Sequence, residues 1–266
     1  MKRMTIVYAV AATAVLATVA AAGLPASIAV ARDGQVLVDG KAVARGGAPA
    51  WSPDGTQLAY VRRGQLYVAG SDGRGERRLT TGRNVSFPAW TPDGKRIVFG
   101  DVLNLWSVPV TGGTAKRLTR STKPWLLNVT AAVSPDGRTI AFGRATDAYN
   151  ADIFFMNADG TALRRLTRSQ GTHDTLGEEM MPTWSPDGRR LVFVSNRDGN
   201  FELYSIDRNG ANERRLTRTP KVNEENPRLG ADGKRVLFVH DGRVSSMNLD
   251  GTGVLRHGRG TAADWR

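Results

Sequence analysis

From residue 27 onward, the chain alternates short apolar runs with polar turns that are rich in glycine. The most regular runs are five residues long and rich in β-branched and aromatic residues: QLAYV, RIVFG, TIAFG, RLVFV and RVLFV. Runs of this length and composition, bounded by Gly, Pro and Asp, predict β-strands. The pattern therefore indicates an all-β protein.

The strands belong to a repeat. Aligning the copies on Pro49, Pro88, Ala131, Pro182 and Pro227 gives spacings of 39, 43, 51 and 45 residues. Most copies contain a P-x-W segment that ends in Ser/Thr-Pro-Asp-Gly, a β-branched run, a third run that closes on a glycine turn, and a fourth that ends in Arg-Leu-Thr. Four short strands per repeat, joined by tight turns, predict one blade of a β-propeller.

The two chain ends complete each other. Ser27 to Gly47 matches the second, third and fourth parts of a copy, and the terminal TAADWR matches the missing first part. Pairing the two segments would remove the open edges that a partial ring exposes. We predict a six-bladed β-propeller of four-stranded antiparallel blades over residues 27–266, with the sixth blade closed by the N- and C-terminal segments.

The recurrence of W-[ST]-P-D-G together with R-L-T resembles the TolB-type, PD40-repeat six-bladed β-propellers. The resemblance covers residues 26–266, with two departures: Val133 replaces the tryptophan in the third copy, and the fifth copy reads PRLGADG. It implies a propeller that acts through protein partners, as TolB does with the peptidoglycan-associated lipoprotein and with translocating toxins.

The N-terminus has the features of an export signal. Lys2 and Arg3 precede an uncharged stretch, residues 4–22, that ends in three alanines. This pattern predicts a signal peptide over residues 1–22, with cleavage possible up to residue 26. We expect an extracytoplasmic protein, periplasmic or secreted. The alternative is an uncleaved anchor, because 19 uncharged residues are just long enough to cross a bilayer; membrane association is expected only in that case.

The formal charge is +12, and it becomes +10 without Lys2 and Arg3, because 35 basic residues then face 25 acidic ones. Many of the basic residues occur as pairs in the predicted fourth strands, at the outer edges of the blades, where charge prevents sheet-to-sheet aggregation. Because they are spread around the rim rather than gathered in one patch, we expect no nucleic-acid partner. The chain has no cysteine, which excludes disulfides and thiolate chemistry.

Candidate binding residues lie in the loops of variable length, which all fall on one face of the predicted propeller. Trp125 lies in an insertion, where its side chain either is exposed and binds a partner or folds back onto its own loop. His173 and Asp174 lie in the longest loop. Glu178, Glu179, Glu224 and Glu225 come just before the first strands of two successive blades, so they could ring the channel mouth, or be neutralised by Arg168, Arg218 and Lys221. The full set of candidates is Glu178, Glu179, Glu224, Glu225, His173, Asp174, Trp125, Tyr149 and Arg197.

No hydrolase, metalloprotease, phosphate-loop or dinucleotide motif is present. We therefore expect a non-enzymatic module, a monomer without a cofactor or a metal, that binds a protein or a cell-envelope component through the variable face. The alternative is an enzyme with a small-molecule site at the channel mouth, assisted by a metal held by His173 and the nearby carboxylates.

Overall fold

The computed structural model describes residues 27–101, 103–123, 126–147, 150–169 and 177–265. Within these ranges the protein consists of strands, turns and loops. None of the described residues forms a helix that is long and apolar enough to span a membrane. The predicted signal peptide of residues 1–22 lies outside the described residues.

Four of the five sheets have four antiparallel strands, numbered here along the chain. The sheet that contains both chain ends has the order β24-β1-β2-β3, with β1 Ile28–Arg32, β2 Gln35–Val38, β3 Lys41–Arg45 and β24 Ala262–Trp265. The next contains β4 Gly47–Trp51, β5 Gln57–Arg62, β6 Gln65–Gly70 and β7 Arg77–Arg78. The third contains β8 Ser86–Trp90, β9 Arg96–Gly100, β10 Leu105–Pro109 and β11 Lys116–Arg117. The fourth contains β20 Glu224–Leu229, β21 Arg235–His240, β22 Arg243–Asn248 and β23 Leu255–Arg259.

The fifth sheet has eight strands and divides into two antiparallel groups of four. The first group is β12 Asn128–Val133, β13 Thr139–Ala145, β14 Asn150–Asn157 and β15 Arg164–Arg165. The second is β16 Gly177–Trp184, β17 Arg190–Ser195, β18 Glu202–Asp207 and β19 Arg214–Arg215. A short parallel pairing of β14 with β16, at Ala151 and Glu178, joins the two groups.

Each four-stranded sheet, and each half of the eight-stranded sheet, has one strand on the inside of the molecule; we call it the first strand of its group. β4, β8, β12, β16, β20 and β24 each contact the next in this order, and β24 contacts β4. Apolar side chains of successive sheets pack against each other. Phe99 of β9, for example, lies in the same buried cluster as Ala59 of β5 in the preceding sheet. The short fourth strands lie at the outer edges and carry the basic pairs, as the sequence predicted.

The recurring turn and the recurring threonine have specific hydrogen-bonding roles. In the Ser-Pro-Asp-Gly turns the hydroxyl donates to the aspartate, as Ser185 does to Asp187 at 2.6 Å, and Gly188 adopts a φ of +67° that favours glycine. The threonine of Arg-Leu-Thr accepts a hydrogen bond from the backbone N–H in the third strand, as Thr217 does from Leu203 at 2.8 Å. The predicted hairpin turns are confirmed by the antiparallel pairing on both sides of them.

Five of the first strands share a feature that the apolar pattern did not reveal. Each contains a β-bulge, because its register against the second strand shifts by one residue. One residue in each bulge has a positive φ of 44–55° although it is not glycine: Ala48, Phe87, Thr130, Met181 and Asn226. Such residues cost of the order of 1–3 kcal/mol each, so the surrounding structure must impose the conformation.

The chain ends meet in one sheet. β24 pairs antiparallel with β1, with Ala263 opposite Val30 and Trp265 opposite Ile28. Asp264 connects this sheet to its neighbours: its Oδ2 accepts a hydrogen bond of 2.8 Å from the backbone N–H of Trp51, and its Oδ1 lies 3.8 Å from Nε of Arg228.

Deleting residues 261–266 tests the role of this pairing. The deletion removes the buried side chains of Ala263 and Trp265 and leaves the edge of β1 open. The lost burial is worth several kcal/mol, which predicts a fall in melting temperature of about 10 °C. Scanning calorimetry and light scattering would measure melting and self-association. A truncated protein that stays monomeric and melts within 2–3 °C of the full chain would contradict this prediction.

Candidate functional site

The four candidate glutamates lie on two neighbouring inner strands, β16 and β20, and not in the loops before them as the sequence suggested. Their register follows the alignment of the copies on Pro182 and Pro227. Glu179 lies opposite Ser195 and Glu224 lies opposite His240, each two residues before a bulge residue, so these two glutamates are equivalent. Glu225 is then equivalent to Met180, and Glu178 has no acidic counterpart on β20.

Glu179 is fully buried and is held by Arg197. The Arg197 Nη2 atom donates to Oε1 of Glu179 and also lies 2.6 Å from Oε1 of Glu213. Burial raises the pKa of Glu179, while the Thr167 hydroxyl and the Arg197 charge oppose the rise. Oε2 of Glu179 has no hydrogen-bond partner among the described residues. Arg197 therefore neutralises a structural carboxylate.

Glu224 is also fully buried, and the charge of another buried glutamate, Glu202, acts on it. Oε1 of Glu224 lies 2.9 Å from Nδ1 of His240 and accepts a bond of 2.5 Å from the Thr219 hydroxyl. Burial is the largest cause that raises the pKa of Glu224 to about 7, and the Glu202 charge adds to it. Arg218 and Lys221, the neutralising residues that the sequence suggested, form no ion pair with it; the side chains that contact its Oε1 are His240 and Thr219.

Glu202 is held more strongly. Its Oε1 accepts hydrogen bonds from Nη2 of Arg215 at 2.8 Å and from the backbone N–H of Thr219 at 2.7 Å. Burial would raise the pKa of Glu202, but the hydrogen bonds from Thr217, Arg215 and Thr219 outweigh it and leave the pKa below its usual value. The proton that this pair takes up on acidification therefore goes to Glu224.

The same arrangement occurs at the preceding junction between strand groups. Asp152 begins the buried part of β14, is fully buried, and lies 2.6 Å from Nη2 of Arg165. The backbone N–H of Ser169 donates to it at 2.6 Å, as that of Thr219 does to Glu202. Its charge acts on Glu179, as the charge of Glu202 acts on Glu224.

Sequence reasoning missed Asp152 and Glu202, although a signal was present. Both occupy the position just before the apolar core of the third strand, where the earlier copies have Gln65 and Asn104. At the Asn104 copy the backbone N–H of Ser121 donates to the side-chain oxygen at 2.7 Å. Arg165 and Arg215 are the second arginines of their basic pairs. Each therefore forms an ion pair with a buried carboxylate and also adds positive charge to the outer strand of its sheet.

The remaining candidates divide into two groups. Glu178 and Glu225 are half-buried, and neither side chain makes a hydrogen bond or an ion pair with a described residue; burial alone raises the pKa of each. Trp125, Tyr149, His173 and Asp174 lie outside the described residues. Within the described part of the chain, no three His, Asp or Glu side chains cluster closely enough to hold a metal ion.

The Glu202–Glu224 pair predicts a pH dependence of stability. Because the pKa of Glu224 is raised in the folded state, this side chain binds more protons in the folded protein than in the unfolded chain between pH 4.5 and about 7. The free energy of unfolding therefore falls as the pH rises through this window, by about 1–3 kcal/mol from this group. Urea unfolding at pH 5 and pH 8 should show this fall in the wild type and a smaller one in Glu224→Gln.

Asp159→Asn is the matched control, because Asp159 is an exposed carboxylate whose pKa is lowered and so should not contribute between pH 5 and 8. If the free energy of unfolding depended on pH equally in the wild type and in Glu224→Gln, the assignment of the proton uptake to Glu224 would be wrong.

Comparisons with known proteins agree with the repeat and the fold. A family model described as the TolB beta propeller domain, PD40, matches residues 122–258. An uncharacterized protein of Agrobacterium fabrum is 28% identical over 230 residues, which cover 78% of this chain and 74% of that protein.

Two solved structures are similar over most of the chain. A structure reported as a TolB of Agrobacterium tumefaciens has a TM-score of 0.71 at 26% identity, and the match covers 91% of this chain and 94% of that one. TolB from Acinetobacter baumannii has a TM-score of 0.62 at 22% identity, which shows likeness of fold; the match covers 88% of this chain but 53% of that longer one. The resemblance seen in the sequence is confirmed, and the chain belongs to the TolB β-propeller family.

Proposed function

We propose that the protein is an exported, non-enzymatic interaction module that binds a protein or a cell-envelope component through its variable-loop face. Membership of the TolB β-propeller family supports a role in protein interaction. The charged and alanine-rich N-terminal segment supports export to the periplasm or the medium. An uncleaved segment would instead tether the module to the membrane.

The proposed module has six blades. The division of the eight-stranded sheet into two groups of four supports this number, because each group repeats the antiparallel order of the other sheets. The contacts of the six first strands, from β4 through to β24 and back to β4, support closure into a ring. The parallel pairing of β14 with β16 is then a bridge between two neighbouring blades.

The observation that carries the proposal is the pair of carboxylates without partners, Glu178 and Glu225. Both are half-buried on neighbouring inner strands, where burial raises their pKa values. A carboxylate that loses water without gaining a cation is unfavourable for the fold. A basic segment of a partner would supply the missing positive charge, so these two residues are the proposed contacts. Glu179 and Glu224 are fully buried and already have hydrogen-bond partners, so we assign them a structural role in β16 and β20.

The inner strands also differ in polarity around the ring. At the position just before the last residue of each first strand, β4, β8 and β12 carry alanine (Ala50, Ala89 and Ala132), and β16, β20 and β24 carry Thr183, Arg228 and Asp264. The polar half is the half that contains Glu178 and Glu225. We infer that the partner contacts this half, together with the loops that carry Trp125, Tyr149, His173 and Asp174.

Replacing both glutamates tests the proposal. The wild type and the Glu178→Gln/Glu225→Gln variant would be used to capture proteins from an envelope extract, with quantitative mass spectrometry as the readout. We expect the specific partner to be depleted at least tenfold with the variant, and more strongly at 20 mM than at 150 mM salt. Metal analysis of the purified protein accompanies the capture.

Asp159→Asn/Asp250→Asn is the matched control, since it makes the same change in net charge at turns between third and fourth strands, on the opposite face. The control should retain the partner. Undiminished capture by the glutamine variant would contradict the proposed contacts, and a stoichiometric divalent ion would favour the enzyme alternative.

A further inference from the structure

A second concave surface lies away from the candidate glutamates, where the sheet formed by the chain ends meets the next sheet. It is a groove of about 790 Å³ lined by the β1–β2 turn, the β3–β4 connection and the β5–β6 turn. Its volume is in the range of small-molecule sites. Because turns between second and third strands contribute to it, the groove opens on the variable-loop face.

The groove is strongly basic. Four arginines line it against one acidic residue, Asp33; they are Arg32, Arg45, Arg62 and Arg63. Arg32, Arg62 and Arg63 lie at the ends of second strands or in the turns that follow them, so protection of sheet edges does not account for them. Arg45 is the last residue of the outer strand β3. Like charges gathered in one concavity repel each other and attract anions from solution.

The arginines differ in how they are held. Arg62 is fixed: its two Nη atoms donate to Glu76 at 2.9 and 2.6 Å, and its guanidinium lies 4.0 Å from the centre of the Tyr67 ring. Arg45 and Arg63 are exposed and form no hydrogen bond or ion pair with any described side chain. Arg32 has only a long contact of 3.9 Å with Asp33. Three guanidinium groups therefore remain available to a ligand beside one that is fixed.

The floor of the groove is close-packed backbone. Gly46 has a φ of +144°, and its N–H donates to the carbonyl of Gly34 at 2.8 Å. A Cβ atom at Gly46 would lie 2.5 Å from the carbonyl oxygen of Val61, so no side chain fits here. The β3–β4 connection therefore packs directly against β5, and Arg45, the residue before Gly46, lines the groove.

We propose that this groove binds an anionic ligand that carries at least two oxyanion groups, carboxylate or phosphate. Guanidinium groups recognise both kinds of oxyanion through paired hydrogen bonds. Arg45 and Arg63 supply the main contacts. The site is separate from Glu178 and Glu225 and requires a ligand of opposite charge, so it goes beyond the proposed function and can be tested independently of it.

Calorimetric titration with two probes, pyrophosphate and citrate, tests the site. The full chain should bind at least one of them with one-to-one stoichiometry at 20 mM salt and more weakly at 150 mM. Arg45→Gln/Arg63→Gln should weaken this binding at least tenfold, and its unchanged melting temperature would show that the fold is intact. Binding of pyrophosphate alone would indicate a phosphate ligand, and binding of citrate alone would indicate a polycarboxylate.

The matched control is Lys116→Gln/Arg117→Gln, which removes the same charge from β11, the exposed outer strand of the third sheet. It should bind within twofold of the wild type. Equal weakening in both double variants would show attraction by the general surface charge and would overturn the proposal. The absence of saturable binding of both probes to the wild type would also overturn it.

Discussion

The pairing of β24 with β1 is the constraint on which the rest of the molecule depends. It joins residues more than two hundred positions apart, such as Ile28 and Trp265. Until this pairing forms, β1 lacks its inner neighbour, and the packing of β24 against β4 and β20 is also missing. Contacts of such long range pay their chain entropy before they gain stability, so we expect them to form late in folding.

The sequence predicted the features that rest on local chemistry. The Ser-Pro-Asp-Gly turns, the strand runs and the complementary chain ends each have short signatures, and the structure contains the pairing that these signatures imply. The bulges have no comparable signature, since Met181 and Phe87 do not favour a positive φ. The bulge lies at the same position in β16 and β20, so it leaves the alignment of the copies unchanged, and Glu179 and Glu224 each precede the proline of their copy by three residues.

Charge has three separate roles in this chain. Exposed basic pairs mark the outer edges of the sheets, buried carboxylates lie at the junctions between neighbouring strand groups, and free arginines line the groove beside the chain ends. Composition alone gives one net charge and conceals these roles. Arg215 shows the overlap, because it lies on an outer strand and still reaches the buried Glu202 through Nη2.

The junctions between strand groups share one geometry but differ in their ability to ionise. One uses the amides Asn104 and Asn128, and the next two use the acids Asp152 with Glu179 and Glu202 with Glu224. Amide and acid have nearly the same shape, so a single substitution can add or remove a titrating group without redesigning the packing. The repeat architecture thus allows each junction between strand groups to evolve its own response to acidity.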